Sequence, residues 1–315
     1  MTVRQYILTA LSFGDFVSGD EMARQLGVSR ASINQHVNTL KEQGLEIHAV
    51  RGKGYRIGKG LSLLDAKIIS ERSGCEVEVS SVIDSTNAEV RRRLAQSLPI
   101  SRYLFAENQT RGRGRQGRSW YAAPYQSILA STWLRFDGNA QDISGLSLAV
   151  GVALVRGLQD VGYRQCRLKW PNDLLIDGAK LGGILIEVSG ELGGGMDVTV
   201  GFGLNLLLPD KLAALCEQNV TDLARQGGVL PHRNDLAVTF IQHLEWVFAK
   251  FRQSGFAPFM DEWQSLHHYQ GKQIAIQQGR GTVVGIAQGV DGRGALRLKA
   301  SSGSIISITT GEVIS

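Results

Sequence analysis

Residues 109 to 120 read Gln109-Thr110-Arg111-Gly112-Arg113-Gly114-Arg115-Gln116-Gly117-Arg118-Ser119-Trp120. Four arginines are interleaved with three glycines, and a tryptophan closes the stretch. Glycine lets a backbone adopt positive φ and approach a ligand closely. Arginine offers a planar, permanently charged fork to carboxylate or phosphate oxygens. The stretch therefore predicts a cationic loop that binds an anion, although a solvated basic loop or a nucleic-acid contact is an equally open interpretation.

The glycines of this stretch also satisfy the pattern G-x-G-x-x-G, the fingerprint of dinucleotide-binding sites. That fingerprint requires a helix to begin at the third glycine, Gly117. Here the chain passes through Pro124 into an apolar run over residues 127–134, which is typical of a strand. Another strand is predicted over residues 103–107. We therefore reject a dinucleotide site and place the arginine-rich loop between two strands.

The composition is that of a globular protein with about two or three domains. The chain has 315 residues, of which 43% are hydrophobic and 20% charged, and its formal net charge is +5. That charge fits a nucleotide or nucleic-acid partner without requiring one. The three cysteines are widely spaced and match neither a metal site nor a disulfide framework, so we expect a reducing, cytoplasmic location. We expect neither a signal peptide nor a membrane span.

The first sixty residues have the pattern of a winged helix-turn-helix. One helix is predicted over residues 19–26 and a second from its N-cap, Ser29, to about Gln43, with Gly44 as its stop. Two short strands within residues 46–57 then flank a glycine-lysine-glycine tip, in the place of a wing. The second helix of such a motif enters the major groove of DNA.

The outer face of that second helix carries amides. Ile33, Val37 and Leu40 recur at helical spacing and share a buried face, so the polar residues point outward. Asparagine and glutamine can pair with adenine edges, and basic wing residues can contact phosphate. A helical scaffold without a DNA role is the alternative interpretation, and the wing favours DNA binding over it. The predicted DNA-binding residues are Arg30, Asn34, Gln35, Asn38, Arg51, Lys53 and Arg56.

Two further motifs belong to the central part of the chain. Asp84-Ser85-Thr86-Asn87 lies between a predicted strand over 79–84 and a predicted helix over 88–96. Asn87 or Thr86 can be a plain N-cap, or the group can offer hydroxyls, an amide and free N–H groups to a small polar ligand. Lys169-Trp170-Pro171-Asn172-Asp173 alone is typical of a strand-ending turn with a surface ion pair.

The residues directly after the second motif change its interpretation. Asp177-Gly178 between apolar runs is the strongest short-range hairpin signal. Lys180 begins the return strand, where it can neutralise phosphate or remain solvated. Gly182-Gly183 thin that strand, as happens where a ligand lies against a sheet. The other predicted elements are a linker at Gly58-Lys59-Gly60, helices over 62–72, 142–161, 234–253 (capped by Asn234) and 256–266, and strands over 197–204, 273–277, 282–287, 295–299 and 304–309.

Together these motifs resemble those of the biotin–protein ligases. The arginine-rich loop and the Lys-Trp-Pro-Asn-Asp cluster are specific, and Asp-Ser-Thr-Asn supports them. The winged helix-turn-helix resembles that of the bifunctional bacterial members, which also act as biotin operon repressors. The similarity covers essentially the whole chain. Arg111 departs from the pattern, because a small residue is expected there.

The resemblance implies an α+β fold in three domains. These are a winged helix-turn-helix at residues 1–60, a catalytic domain at 61–268 whose mixed sheet is like that of class II synthetases, and an SH3-like β-barrel at 269–315. A lipoate–protein ligase, which shares the catalytic fold, is the alternative enzyme. A ligand-sensing transcription factor without catalysis is the alternative outside the enzymes.

The resemblance also implies a two-step reaction with ATP, Mg²⁺ and biotin. Biotin is activated to biotinyl-5′-AMP and then transferred to a lysine of the biotin carboxyl carrier protein of acetyl-CoA carboxylase. Operator DNA and a second copy of the chain are the other implied partners, the latter when the adenylate is bound. The Mg²⁺ ligands stay unassigned.

The resemblance implies a role for each motif residue. Lys180, Arg115 and Asp173 are the expected catalytic residues. Lys180 would hold carboxylate or phosphate oxygens, and Asp173 would help the acceptor lysine lose its proton. The residues expected to bind biotin or the adenylate are Ser85, Thr86, Asn87, Gln109, Arg113, Gly114, Arg115, Arg118, Trp120, Lys180, Gly183 and Asn205.

Overall fold

The computed structural model describes residues 2–12, 14–42, 45–57, 62–137, 141–190, 195–279 and 281–314. It confirms the α+β class, with an N-terminal helix-turn-helix, a central mixed sheet and a C-terminal antiparallel sheet. The predicted helix stop at Gln43-Gly44 and the predicted linker at residues 58–60 lie outside the described residues. The described helices include no stretch with the length and hydropathy that a bilayer-spanning helix requires.

The N-terminal unit contains three helices and a two-stranded wing. They are α1 (Val3–Ser12), α2 (Gly19–Leu26), α3 (Arg30–Glu42), β1 (Ile47–Val50) and β2 (Gly54–Ile57). The predicted cap of α3 is confirmed, because the Ser29 hydroxyl accepts from the Ser32 N–H at 3.1 Å. α1 was not predicted, although it contributes Ile7, Leu8 and Leu11 to the core of this unit.

The central sheet has seven strands in the order β3-β4-β5-β9-β8-β7-β6 among the residues described. β3 and β4 are parallel and all other neighbours are antiparallel. The predicted hairpin is confirmed, with Asp177 and Gly178 both at positive φ between β7 and β8. The strands are β3 (Val77–Ser80), β4 (Tyr103–Ala106), β5 (Ser127–Phe136), β6 (Arg167–Lys169), β7 (Asp173–Ile176), β8 (Ala179–Ser189) and β9 (Met196–Asn205).

Helices cover this sheet, and α6 and α8 pack against each other above it. The central helices are α4 (Ala66–Ser73), α5 (Thr86–Ala95), α6 (Leu146–Asp160), α7 (Asp210–Ala213), α8 (Arg233–Ser254) and α9 (Met260–Leu266). α4 begins four residues later than predicted, because the Asp65 carboxylate caps it by accepting from the Ile68 N–H at 3.0 Å. α6 also begins later than residue 142, because Gly145 immediately before it has a φ of 79°.

The predicted caps of α5 and α8, Asn87 or Thr86 and Asn234, are wrong. The Ser85 hydroxyl caps α5 and the His232 ring caps α8, each by accepting from a backbone N–H of the first turn. Both predicted asparagines instead use their side chains in contacts with distant parts of the chain. A cap therefore depends on which side chains tertiary contacts leave free.

The C-terminal sheet follows α9 in the order β13-β12-β11-β10-β14. Its strands are β10 (Gln273–Gln278), β11 (Gly281–Val290), β12 (Leu296–Lys299), β13 (Ile305–Ile308) and β14 (Glu312–Ile314), of which β14 was not predicted. Its buried residues join the hydrophobic cluster of the central domain. The Trp170 indole N–H also donates to the Gly294 carbonyl at 3.1 Å, so the two units are tied at the Trp-Pro motif.

Candidate functional site

A cavity of about 420 Å³ lies between the central sheet and the arginine-rich loop. Every residue that sequence analysis assigned to catalysis or to ligand binding lines it. The structure therefore brings together four segments that are far apart in sequence. The lining includes Ser85, Thr86, Asn87, Gln109, Arg113, Gly114, Arg115, Arg118, Trp120, Asp173, Lys180, Gly183 and Asn205.

The arginine-rich loop is folded on itself as a short irregular hairpin. Its two sides pair at Arg113 and Ser119, and the Trp120 N–H donates to the Gly112 carbonyl at 2.9 Å. A Cβ on Gly112 would lie 2.5 Å from the Trp120 carbonyl oxygen, so only glycine fits there. These contacts fix the backbone of the hairpin and therefore the positions from which its arginine side chains extend. The helix required by a dinucleotide fingerprint is not formed, and β5 follows as predicted.

The start of α5 forms one end of the cavity through a network of hydrogen bonds. The Thr86 N–H and hydroxyl both donate to Gln109 Oε1, at 2.7 and 3.1 Å. Asn87 Nδ2 donates to Glu187 at 2.9 Å, and Ser131 donates to Asn87 Oδ1 at 2.6 Å. The Asn87 side chain is therefore engaged within the protein. Thr86 and Gln109 keep further hydrogen-bonding capacity toward the cavity.

Two cations face one carboxylate in the middle of the cavity. Lys180 Nζ lies 2.7 Å from Asp173 Oδ1, and both side chains are largely buried. The Arg115 guanidinium donates to Asn172 Oδ1 at 3.3 Å. Burial lowers the pKa of Arg115, and attraction to Asp173 partly opposes that shift. The excess of positive charge favours a negatively charged ligand.

Arg118 connects the loop to the C-terminal sheet. Both of its terminal nitrogens donate to the carboxylate of Glu312 in β14, one of them at 2.7 Å. This hydrogen bonding holds the pKa of Glu312 below its ordinary value, although burial opposes the shift. The C-terminal unit thereby contributes a carboxylate to the lining of the cavity.

Glycines of β9 leave room for the aromatic wall. A Cβ on Gly203 would lie 2.6 Å from the indole ring of Trp120. The Lys180 ammonium lies 5.7 Å from the centre of the same ring. Trp120 Nε1 and Asn205 Oδ1 are buried without a hydrogen-bond partner among the described residues. Buried polar atoms of this kind are normally satisfied, so they indicate where a ligand with matching polar groups would bind.

Sequence analysis assigned no role to several residues that line the cavity. Asn172, which holds Arg115, belongs to a quoted motif but was assigned no role. Glu312 lies in an unpredicted strand, and residues 215–218 lie in a segment without clear periodicity. This segment is fastened to Lys180, whose N–H donates to the Asn219 carbonyl at 2.9 Å and whose carbonyl accepts from the Thr221 N–H at 2.8 Å. Only the folded chain shows these contacts.

The predicted DNA-binding residues lie together on α3 and the wing. All seven are exposed. Asn34 Oδ1 accepts from the Tyr55 hydroxyl at 3.2 Å, which ties the helix to the wing. Arg30 lies 3.5 Å from Asp20, while Arg56 stacks over Phe16 with 4.9 Å between the guanidinium carbon and the ring centre. The surface thus combines exposed amides with basic groups.

Three segments of the chain match known families. Residues 79–205 match the biotin/lipoate A/B protein ligase family, residues 3–56 match an HTH domain, and residues 269–314 match the biotin protein ligase C terminal domain. The chain is 34% identical over 299 residues to the bifunctional ligase/repressor BirA of Escherichia coli (strain K12), covering 95% of this chain and 92% of that protein. It is 32% identical to the protein of the same name from Bacillus subtilis (strain 168), over 92% and 91% of the two chains.

The fold also has solved counterparts. The biotin protein ligase from Aquifex aeolicus in complex with biotin and ATP aligns with a TM-score of 0.63 and 24% identity. The alignment covers 76% of this chain and 97% of that one.

Proposed function

The chain belongs to the family of bifunctional biotin–protein ligases and biotin repressors, and we propose that it activates biotin with ATP and transfers it to a carrier-protein lysine. The observation that supports this most strongly is the single cavity wall formed by the arginine-rich loop, the Lys180–Asp173 pair and the start of α5. In the first step the biotin carboxylate attacks the α-phosphorus of ATP and pyrophosphate leaves. In the second step the lysine amine attacks the acyl carbon and AMP leaves.

The polar end of the cavity suits the neutral head group of biotin. We assign its recognition to Ser85, Thr86 and Gln109, whose hydroxyl and amide groups can exchange hydrogen bonds with a ureido group. Asn87 completes this group through Ser131, whose hydroxyl contacts both Asn87 Oδ1 at 2.6 Å and the Thr86 hydroxyl at 2.7 Å. The glycines of the sheet allow a flat ligand to lie close to the backbone.

The cationic middle of the cavity suits the reacting groups. Phosphoryl and nucleotidyl transfer depend mainly on positioning and on charge stabilisation. Arg113, Arg115 and Lys180 would neutralise the carboxylate and phosphate oxygens, while Gly114 and Gly183 would permit close backbone contact. Arg118 would act from its ion pair with Glu312, which links nucleotide binding to the C-terminal unit.

The aromatic side of the cavity suits the adenylate base. Trp120 offers an aromatic face and an indole N–H without a partner among the described residues, and Asn205 offers an unpaired carbonyl oxygen of the same description. Stacking and two polar contacts are what a purine requires.

In the second step the acceptor amine, with an ordinary pKa of about 10.4, must lose a proton. We assign Asp173 to that task, since its carboxylate lines the cavity beside Lys180.

Mg²⁺ fits this site as an ion held mainly by substrate. Among the described residues, no group of three or more acidic, cysteine or histidine side chains is placed to hold a metal ion by itself. Mg²⁺ usually binds one or two carboxylates together with phosphates and water. When bound with ATP it would neutralise phosphate charge, and the carboxylates of the cavity lining that could hold it are Asp173, Glu217 and Glu312.

We further assign residues 1–60 to operator binding, 61–268 to ligation and 269–315 to an SH3-like support domain. Arg30, Asn34, Gln35 and Asn38 would enter the major groove, and Arg51, Lys53 and Arg56 would contact the backbone. The adenylate would also act as corepressor for a homodimer on the operators of biotin synthesis genes. The acceptor would be the biotin carboxyl carrier protein of acetyl-CoA carboxylase, in the cytoplasm.

Mass spectrometry of the purified protein tests the ligase assignment. The protein is incubated with ATP and Mg²⁺ and either biotin or lipoate, and the retained acyl-adenylate is identified. We expect biotinyl-adenylate. Lipoyl-adenylate would shift the substrate to lipoate, and no adenylate in folded protein would contradict a ligase altogether.

The double substitution Gln35→Ala and Asn38→Ala should abolish operator binding but leave ligation intact, and loss of both activities would contradict separate domain roles.

A further inference from the structure

The chain enters and leaves the arginine-rich loop at two residues that are bonded to each other, Glu107 and Tyr125. We call this pair the neck. Glu107 directly follows β4, and Tyr125 lies just before β5. The Tyr125 N–H donates to the Glu107 carbonyl at 2.9 Å. Because β4 and β5 are antiparallel neighbours, this hydrogen bond closes the loop that carries all arginines of the described cavity lining.

Tyr125 holds an unusual backbone conformation at the neck. The Gln126 N–H donates to the Ala123 carbonyl at 3.2 Å, so residues 123–126 form a turn with Pro124 and Tyr125 at its centre. Tyr125 has a φ of 64° at the third turn position, which usually takes glycine or asparagine. A bulky residue keeps such a conformation only when its surroundings hold it there.

The surroundings of Tyr125 belong to the DNA-binding domain. Tyr125 is 2% exposed and is part of the hydrophobic cluster formed by α1, α2, α3 and the wing. In the described chain, Tyr125 is the one buried member of that cluster from beyond the wing. Burial raises the pKa of its hydroxyl, and the nearby charge of Arg4 in α1 opposes that shift. The ring thus joins the loop neck to the other domain.

The second neck residue is fastened to residues 62–64, a segment just before α4. Glu107 accepts from the Leu64 N–H at 2.7 Å and forms an ion pair with Arg233 at 2.6 Å. Arg233 also donates to the carbonyl of Ser62 at 2.8 Å. Leu63, between them, packs against the core of the DNA-binding domain. Tyr125 is therefore held by the core of the DNA-binding domain, whereas Glu107 is held by the segment before α4 and by Arg233 of α8.

We propose that Tyr125 is a positioning residue for ligation, whose ring, held in the core of the DNA-binding domain, fixes the neck and thereby the arginines over the adenylate. The identity of the ligand as an acyl-adenylate rests on the proposed function, whereas the hold of Tyr125 on the neck does not depend on it. Coupling between two sites is reciprocal. A ligand that orders the loop therefore also favours one arrangement of the DNA-binding domain.

Two substitutions separate the ring from the backbone strain. Tyr125→Gly removes the ring and adopts positive φ without strain. Tyr125→Phe keeps the ring. Val37→Ala is the matched control, because it removes volume from the same core and leaves the neck residues in place. If the glycine variant does not fold, Tyr125→Asn replaces it, since asparagine tolerates positive φ.

The variants are compared as full-length proteins in two assays. Amide hydrogen exchange of residues 109–120 is measured without ligand, and release of preformed acyl-adenylate is measured by a chase with unlabelled ligand. We expect Tyr125→Gly to raise the exchange and to speed release by about tenfold. Tyr125→Phe and Val37→Ala should stay within about twofold of the unsubstituted protein in both assays.

Unchanged exchange and release in folded Tyr125→Gly would overturn the inference. An equal increase in Val37→Ala would do the same, because it would reduce the effect to loss of stability in the DNA-binding domain. Failure of the unsubstituted protein to form an adenylate would contradict the proposed function instead. The exchange measurement needs no ligand and would still decide whether Tyr125 holds the neck.

Discussion

At the scale of single residues, the balance of charge around Asp173 determines how strongly the cavity attracts an anionic ligand. This carboxylate faces Lys180 at 2.7 Å, and its charge also attracts Arg115. One carboxylate cannot neutralise two desolvated cations, so the cavity retains uncompensated positive charge that attracts an anionic ligand. The binding of an adenylate therefore depends on arginines that the protein itself leaves incompletely paired.

Replacing Arg115 by alanine should shorten the lifetime of the bound adenylate. A hydrogen bond to a charged group contributes about 1.5–3 kcal/mol, so release should become roughly ten- to a hundredfold faster. The matched control is Arg111→Ala, which removes an exposed arginine of the same loop outside the cavity lining. A chase experiment measures both variants. Equal release rates would remove Arg115 from the binding site.

His267 should make stability depend on pH. It is 5% exposed and stacks on Trp263 with 4.6 Å between ring centres, and burial lowers its pKa from 6.5 to about 4. As pH falls below 6.5 the unfolded chain binds the proton first, so stability decreases until pH falls to about 4. We expect a loss of about 2 kcal/mol between pH 7 and pH 5.

Urea unfolding at both pH values measures this loss. His267→Gln should remove most of the dependence, because glutamine does not titrate. His48→Gln is the control, since that side chain is 44% exposed and the variant should keep the dependence. A dependence unchanged by His267→Gln would assign the effect to other groups.

At the scale of elements, the wing shows how one close contact positions a hairpin. Val17 pairs with Tyr55 through hydrogen bonds in both directions, at 2.8 and 2.9 Å. Gly54 stands beside this pairing with a φ of 100°, and any Cβ there would meet the Val17 backbone. The wing can therefore lie against the turn before α2 only if residue 54 is glycine.

Gly54→Ala should displace the wing and weaken operator binding by about tenfold or more, while ligation stays unchanged. Gly52→Ala is the matched control, since Gly52 also has positive φ but a Cβ added there would meet no atom within 4 Å. A fluorescence titration with operator DNA compares the two variants. Equal affinities would show that the contact with Val17 does not position the wing.

At the scale of the whole molecule, the buried pair of Glu107 and Arg233 holds three parts of the chain together. The Arg233 side chain is 1% exposed and forms an ion pair with Glu107 at 2.6 Å. Its guanidinium also donates to the carbonyls of Ser62 and Ser127. Ser62 lies just before α4, Ser127 begins β5, and Glu107 directly follows β4. Breaking the pair would leave a buried charge without compensation.

Arg233→Met should therefore lower the free energy of unfolding by about 3–5 kcal/mol. Arg252→Met near the end of the same helix is the control, because Arg252 is exposed and its loss should change stability by less than about 0.5 kcal/mol. Chemical denaturation measures both variants. Similar midpoints would mean that the buried pair contributes little beyond its neighbours.

Local patterns in the chain were sufficient to predict the class of the fold and the motif residues that line the cavity. Helical spacing, the Asp-Gly turn and the arginine-glycine stretch are local patterns, and each predicted its element or loop correctly. The same locality explains the errors, since β14 has only three residues and α1 has neither an acidic first turn nor a basic last turn to mark its ends. Caps such as Asn234 were wrong because a distant backbone group binds that side chain.

The tertiary structure decided which side chains meet. Glu312 reaches Arg118 across 194 positions of sequence, and Glu187 reaches Asn87 across 100. Tyr125 enters the core of another domain from a turn that usually takes glycine. None of these contacts has a local pattern, because each depends on where separate elements pack. The chemistry of the cavity is therefore visible in the motifs, whereas the contacts that hold it in place arise only when the chain folds.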